Sequence, residues 1–255
     1  MRNAIGRLLL MAVLVAASGG VSGRKDVVNE VRTLEWRGRA RTYALFVPPR
    51  PKGTAGYSVV VLQHGTGGSG PGMVEAWKPL AESQHLILVA PNGLGKYGWS
   101  VPDDGPELQE AILKQVAAEF PLDDRRLYLF GFSAGGDFVF YAALQQSRYF
   151  AGACVHLASL RPRQFPMLDL AERQIPLYYS AGIEDKIFPL AEATATEAEF
   201  QRRKWPFKYV NLPIGHEYDP SDINPRCWDF LKKQALAEAP ASTPLTPQWL
   251  GYALY

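Results

Sequence analysis

Polar and apolar residues alternate along Val31–Trp36 and again along Ala40–Val47, on either side of Arg37-Gly38. Period-two alternation marks half-buried strands, and the Arg-Gly pair between them reads as the turn of an opening hairpin. From Tyr57 the pattern changes to continuous apolar runs at Ser58–Leu62, Leu86–Ala90, Leu127–Phe130, Gly152–His156, Leu177–Ser180 and Lys208–Leu212. Short runs of this kind suit strands covered on both faces. Between them lie amphipathic stretches at Glu75–Ser83, Glu107–Glu119, Ala134–Gln146, Ala191–Arg203 and Asp222–Leu236, each predicted as a helix. Strands and helices in strict alternation imply right-handed crossovers and a largely parallel sheet.

An antiparallel hairpin followed by such a series is the plan of the α/β-hydrolase fold, an α/β class with a mostly parallel central sheet and helices on both faces. The segment Arg161–Ile175 between two predicted strands is short, so little or no cap is expected there. At the start of the chain, Arg2 and Arg7 precede the apolar run Leu8–Ala17, and Ser18–Gly23 is small and polar. This resembles a secretory signal peptide over residues 1–23, because the apolar run falls well short of the roughly 20 residues that span a bilayer. An uncleaved N-terminal anchor is the alternative. The hydrolase domain is then expected over residues 24–237 and a C-terminal extension over 238–255, either weakly ordered or docked through Trp249, Tyr252 and Tyr255.

Composition adds bounds. The chain has 255 residues, of which 47% are hydrophobic and 20% charged, which supports one well-cored domain and excludes disordered and fibrous classes. Its 27 basic and 25 acidic residues are interspersed, so no nucleic-acid partner is expected, and no membrane partner once the leader is removed. Cys154 and Cys227 are the only cysteines. A chain of this length is stabilised by its core, so two buried free thiols are favoured over a bridge. Two distant cysteines without a nearby histidine pair give no metal site, and no cofactor is implied.

The chemistry concentrates in Gly131-Phe-Ser133-Ala-Gly135, which joins a predicted strand to a predicted helix. That context marks a nucleophile elbow, in which a sharp turn lifts the serine hydroxyl clear of the backbone. A serine needs a general base, normally a histidine oriented by a carboxylate, and in this fold the chain order is serine, acid, histidine. His64 and His85 precede Ser133, and His156 lies in a strand-like run facing the core. His216, on a loop after the last predicted strand, is the candidate base. The strand Leu177–Ser180 runs into Gly182-Ile-Glu184-Asp185, where either carboxylate suits the acid, the spacing favouring Asp185. Two oxyanion donors are expected from main-chain amides: Ala134 at the start of the elbow helix, and Thr66 in the loop Gln63-His-Gly-Thr-Gly-Gly68. His64 ties that loop down or touches substrate, and Trp99 is a candidate wall of the site, with simple packing as its alternative.

Together, Gln63–Gly68, Ala90-Pro-Asn-Gly93, Trp99 with Asp103-Asp104, Asp124-Arg-Arg-Leu-Tyr128, Gly131–Gly136, Gly182–Asp185 and Gly215-His216 resemble the secreted polyhydroxybutyrate depolymerase and feruloyl esterase family of α/β-hydrolases. The resemblance covers roughly Ala40 to Leu236. It implies a secreted or periplasmic serine esterase with Ser133, Asp185 and His216 as its triad. Its expected partner is a small-molecule or polysaccharide-linked ester: a feruloyl or acetyl ester of plant polysaccharide, or a short hydroxyalkanoate ester. A serine peptidase of the same fold and a non-catalytic binding protein are the alternatives.

Overall fold

A computed structural model of the chain describes residues 27–50, 53 and 55–252. The expected signal peptide and the last three residues of the tail lie outside these. Eight strands form one sheet: β1 (Val28–Trp36), β2 (Arg39–Val47), β3 (Tyr57–Gln63), β4 (Ile87–Pro91), β5 (Leu122–Phe132), β6 (Gly152–His156), β7 (Leu177–Gly182) and β8 (Phe207–Leu212). Their order across the sheet is β1-β2-β4-β3-β5-β6-β7-β8. The β1–β2 and β2–β4 pairs are antiparallel and every later pair is parallel. This is the α/β-hydrolase architecture that the alternation implied.

The helices are α1 (Gly70–Gln84), α2 (Pro106–Ala117), α3 (Ala134–Gln145), α4 (Met167–Leu170), α5 (Leu190–Arg202), α6 (Pro220–Leu231) and α7 (Pro247–Leu250). Side chains leave a strand on alternate faces, so each strand feeds two cores. Val59, Val61, Leu129, Val155 and Tyr179 face a cluster with Ile112 of α2, Phe138 of α3 and Phe200 of α5. Val60, Leu62, Phe130, Cys154 and Tyr178 face the opposite cluster with Trp77 of α1 and Trp228 of α6. The same alternation overturns the expectation of free thiols. It turns Cys154 toward the buried face of α6, where Cys227 lies, and the two form a disulfide with their Cα atoms 5.9 Å apart.

Several boundaries differ from the sequence reading, and at α1 and β5 the difference is largest at the N-terminal end. Helix α1 starts five residues early, because the Ser69 hydroxyl accepts from the Gly72 amide (3.3 Å) as an N-cap and proline is tolerated in a first turn. Strand β5 starts at Leu122, so Asp123–Arg126 is a polar strand rather than a loop. Between β6 and β7 stand only a 3₁₀ turn (Pro162–Gln164) and the four residues of α4, consistent with a minimal cap. The tail docks on the body as far as it is described: the Thr243 amide donates to Gln146 Oε1 (2.9 Å), and Trp249 is buried against Tyr141.

Candidate active site

Ser133 sits between β5 and α3 with φ 57° and ψ −125°, a region that non-glycine residues avoid. Holding it there costs on the order of 1–3 kcal/mol, and the surrounding backbone sustains it. The Ser133 amide donates to the His156 carbonyl (3.0 Å), while its own carbonyl accepts from the Asp137 amide (3.0 Å). The flanking glycines are required by close approach. A Cβ at Gly131 would overlap the Gly135 carbonyl, and one at Gly135 would overlap the Gln63 carbonyl.

Because β5, β7 and β8 are parallel, the loops leaving their C-terminal ends meet at one edge of the sheet. Two of those loops bring Asp185 and His216 to Ser133. His216 Nδ1 lies 2.8 Å from Asp185 Oδ2, and His216 Nε2 lies 2.8 Å from Ser133 Oγ. The other Asp185 oxygen accepts from the amides of Ile187 (2.8 Å) and Phe188 (2.9 Å), so the buried carboxylate is fixed at both oxygens. A carboxylate only accepts, which puts the imidazole proton on Nδ1 and leaves the Nε2 lone pair facing the serine hydroxyl. Phe132 and Phe188 flank the imidazole, with ring centroids 5.2 and 5.8 Å away. Glu184, the alternative acid, is exposed, and its amide donates to the Ile214 carbonyl.

The glycine-rich loop lies beside the elbow: a Cβ at Gly65 would stand 3.1 Å from the Phe132 ring. Ala134 opens α3, where free amides and the helix dipole favour negative charge. Thr66 is exposed on the loop, and its hydroxyl donates to the Tyr97 carbonyl (2.8 Å), tying it to the β4–α2 connection. Trp99 offers no wall to a substrate, and His64 shows the adjacent pocket only a small exposed edge. Trp99 is 1% exposed, stacks on Phe138 with centroids 4.7 Å apart, and donates its indole N–H to the His64 carbonyl (2.9 Å). His64 is 5% exposed, with Nδ1 on the Gly65 carbonyl (2.8 Å) and Nε2 accepting from the Gly93 amide (3.2 Å). Both brace the loop, because packing and main-chain hydrogen bonds use up nearly all of their surfaces.

Sequence reasoning missed a second brace. Arg41 on β2 and Asp104 form a fully buried ion pair. Asp104 accepts from the amides of Leu94 (2.9 Å) and Ser100 (2.7 Å), and Arg41 donates to the carbonyls of Asn92 (2.9 Å) and Asp103 (2.7 Å). The pair therefore shapes the connection that carries Tyr97 and Trp99. Its only trace in the sequence was the Asp103-Asp104 dipeptide. A pocket of about 150 Å³ opens beside the loop, lined by His64, Thr66, Met73 and Phe132 among others. Leu94 and Tyr97 on one loop, and Ile183 and Ile187 on the acid's loop, expose large apolar side chains. Among the described residues no cluster of three or more His, Cys, Asp or Glu is placed to hold a metal ion, and no helix is long and apolar enough to cross a membrane.

The sheet order, the helices on both faces and this arrangement of loops are those of the α/β-hydrolase fold. No family model matches the chain. It is 29% identical over 161 residues to the protein named "Probable feruloyl esterase C" of Aspergillus terreus, an alignment covering 59% of this chain and 56% of that one. Over 116 residues it is 28% identical to the bifunctional acetylxylan esterase/xylanase XynS20E of Neocallimastix patriciarum, covering 44% of this chain and 16% of the relative. The matched region is thus about half of one relative and a sixth of the other. Among solved structures, the CE1 ferulic acid esterase AmCE1/Fae1A of Anaeromyces mucronatus superposes with a TM-score of 0.65 at 15% identity, covering 82% of this chain and 90% of that one.

Proposed function

We propose that the chain is a serine carboxylic ester hydrolase working through an acyl-enzyme, with Ser133 as nucleophile, His216 as base and Asp185 as the acid that orients it. One observation carries the reading: a single imidazole stands 2.8 Å from both the Ser133 hydroxyl and a buried carboxylate. As Ser133 Oγ attacks the ester carbonyl, His216 Nε2 takes its proton, and Asp185 stabilises the resulting imidazolium. The tetrahedral oxyanion is held by the main-chain amides of Ala134 and Thr66, a pair whose loss would cost about 10²–10³ in turnover per donor. His216 then protonates the departing alcohol, the carbonyl re-forms, and a water activated by the same imidazole releases the acid.

The substrate is a feruloyl or acetyl ester of plant polysaccharide, or a short hydroxyalkanoate ester. The apolar side chains of Leu94, Tyr97, Ile183 and Ile187 and the short β6–β7 connection favour an apolar acyl group approaching an open site. The catalytic unit is residues 24–237, exported to the periplasm or beyond behind the leader at 1–23. A fluorophosphonate probe tests the reading. Labelling of the wild type that vanishes in Ser133→Ala, with turnover of p-nitrophenyl acetate or methyl ferulate, is the expected outcome. A correctly folded chain that neither labels nor hydrolyses either ester would sink it.

A further inference from the structure

His156 ends β6, is fully buried, and has no part in the acyl-transfer steps above. It nevertheless touches both ends of the Ser133–His216 pair. Its carbonyl accepts from the Ser133 amide (3.0 Å), fixing the nucleophile's backbone. Its ring crosses to the loop of the base, with Nδ1 2.9 Å from Ser180 Oγ on β7 and Nε2 3.1 Å from the Glu217 carbonyl.

A carbonyl can only accept, so Nε2 carries the ring proton and Nδ1 accepts from the Ser180 hydroxyl. Burial pushes the His156 pKa down to about 4, keeping the ring neutral near neutral pH and this pattern of donors intact. Glu217 directly follows His216. On the upstream side the same loop is tied by Ile214, whose amide donates to the Leu212 carbonyl (2.9 Å) and whose carbonyl accepts from the Glu184 amide (3.0 Å). His156 supplies a tie on the downstream side. Its ring also packs 5.8 Å from both Phe132 and Tyr218, and Phe132 in turn flanks the His216 imidazole.

We propose that His156 is a positioning residue, which sets the His216 imidazole against Ser133 by tethering the Glu217 carbonyl and the Ser133 amide to one rigid strand end. The proposal rests on Ser133, His216 and Asp185 being the triad. Displacing a catalytic group by about 1 Å costs on the order of 10²-fold, so a tether one residue from the base belongs to the geometry of turnover.

The test compares His156→Gln with His156→Met in the full chain. The two side chains are nearly equal in length, and only glutamine can donate to the Glu217 carbonyl. The methionine variant should lose about 10- to 100-fold in kcat with KM little changed, as expected for a misplaced base, while glutamine restores most of it. The His216 ring-proton resonances should move in the methionine variant and stay near their wild-type positions in the glutamine variant. Full activity in the methionine variant, or equal losses in two variants with wild-type melting temperatures, would overturn the proposal. If methionine prevents folding, His156→Phe serves as the variant without a donor. A wild-type chain with no esterase activity would sink the triad reading alone, and the His216 resonances would still decide whether His156 positions that ring.

Discussion

Replacing Asp185 by asparagine isolates the proton inventory of the site. Asp185 Oδ1 accepts from two amides, those of Ile187 and Phe188, while Oδ2 faces His216 Nδ1. In Asp185→Asn only the amide oxygen can accept from the two N–H groups, so the amide nitrogen must take the Oδ2 position and present hydrogen to Nδ1. His216 then carries its proton on Nε2 and points it at Ser133, which is left without a base. The expected loss is about 10⁴ in kcat, or about 5 kcal/mol at 1.36 kcal/mol per tenfold. KM should change little, because the Asp185 side chain is fully buried and sits behind the imidazole. Steady-state hydrolysis of p-nitrophenyl acetate, with a melting curve as a check on folding, measures both. Glu184→Gln, at the exposed neighbour, should be near wild type. Retention of a tenth of the activity in Asp185→Asn, or its collapse in Glu184→Gln, would refute the reasoning.

Further outcomes follow from burial and cross-linking. The Cys154–Cys227 disulfide closes a loop of 73 residues, so replacing both by serine should lower stability by about 4 kcal/mol and the melting temperature by roughly 10 °C, read by calorimetry; a shift of a degree or two would mean that the reduced chain is equally constrained. Burial pushes Asp137, in the first turn of α3, up to about 7 from 3.8. Its folded-state pKa is raised, so between those values the folded chain holds the proton more tightly than the unfolded chain, and stability is lost as pH rises toward 7. Asp137→Asn removes that loss, worth up to about 4 kcal/mol at about 1.36 kcal/mol per pH unit. The variant should therefore melt higher than wild type at pH 8 and much closer to it at pH 5. A difference independent of pH would show that the carboxyl is ionised throughout.

The strands and most helices were legible because each buries a face and must repeat at period 2 or 3.6. The elbow was legible because its steric demands fall on adjacent residues, so Gly131, Ser133 and Gly135 appear together. Asp185 and His216 could be named only through chain order and loop position, since 52 and 83 residues separate them from Ser133 and their contact is made by the sheet. What sequence missed are pairings with no local signature. Arg41 and Asp104 meet across 63 residues, and the cysteines across 73, because strand alternation and helix docking bring them together. Trp99 was ambiguous for a related reason: a tryptophan near a site looks the same in sequence whether its ring faces substrate or Phe138. His156 was placed correctly as inward-facing, but its reach to Glu217 depends on a loop whose path is written nowhere near it.

The disulfide also fixes which parts of the site share a covalent ring. The closed loop from Cys154 to Cys227 contains Asp185 and His216, while Ser133 lies outside it, directly after the strand that β6 pairs with. A protease that cut once at an exposed position within that loop, such as Lys204 in the turn before β8, would therefore release no fragment. The proposed acid and base would stay on the same molecule as the proposed nucleophile, and the nicked chain would come apart only on reduction and unfolding. In a compartment rich in proteases, the bridge makes the acid and base loops tolerant of a first cleavage.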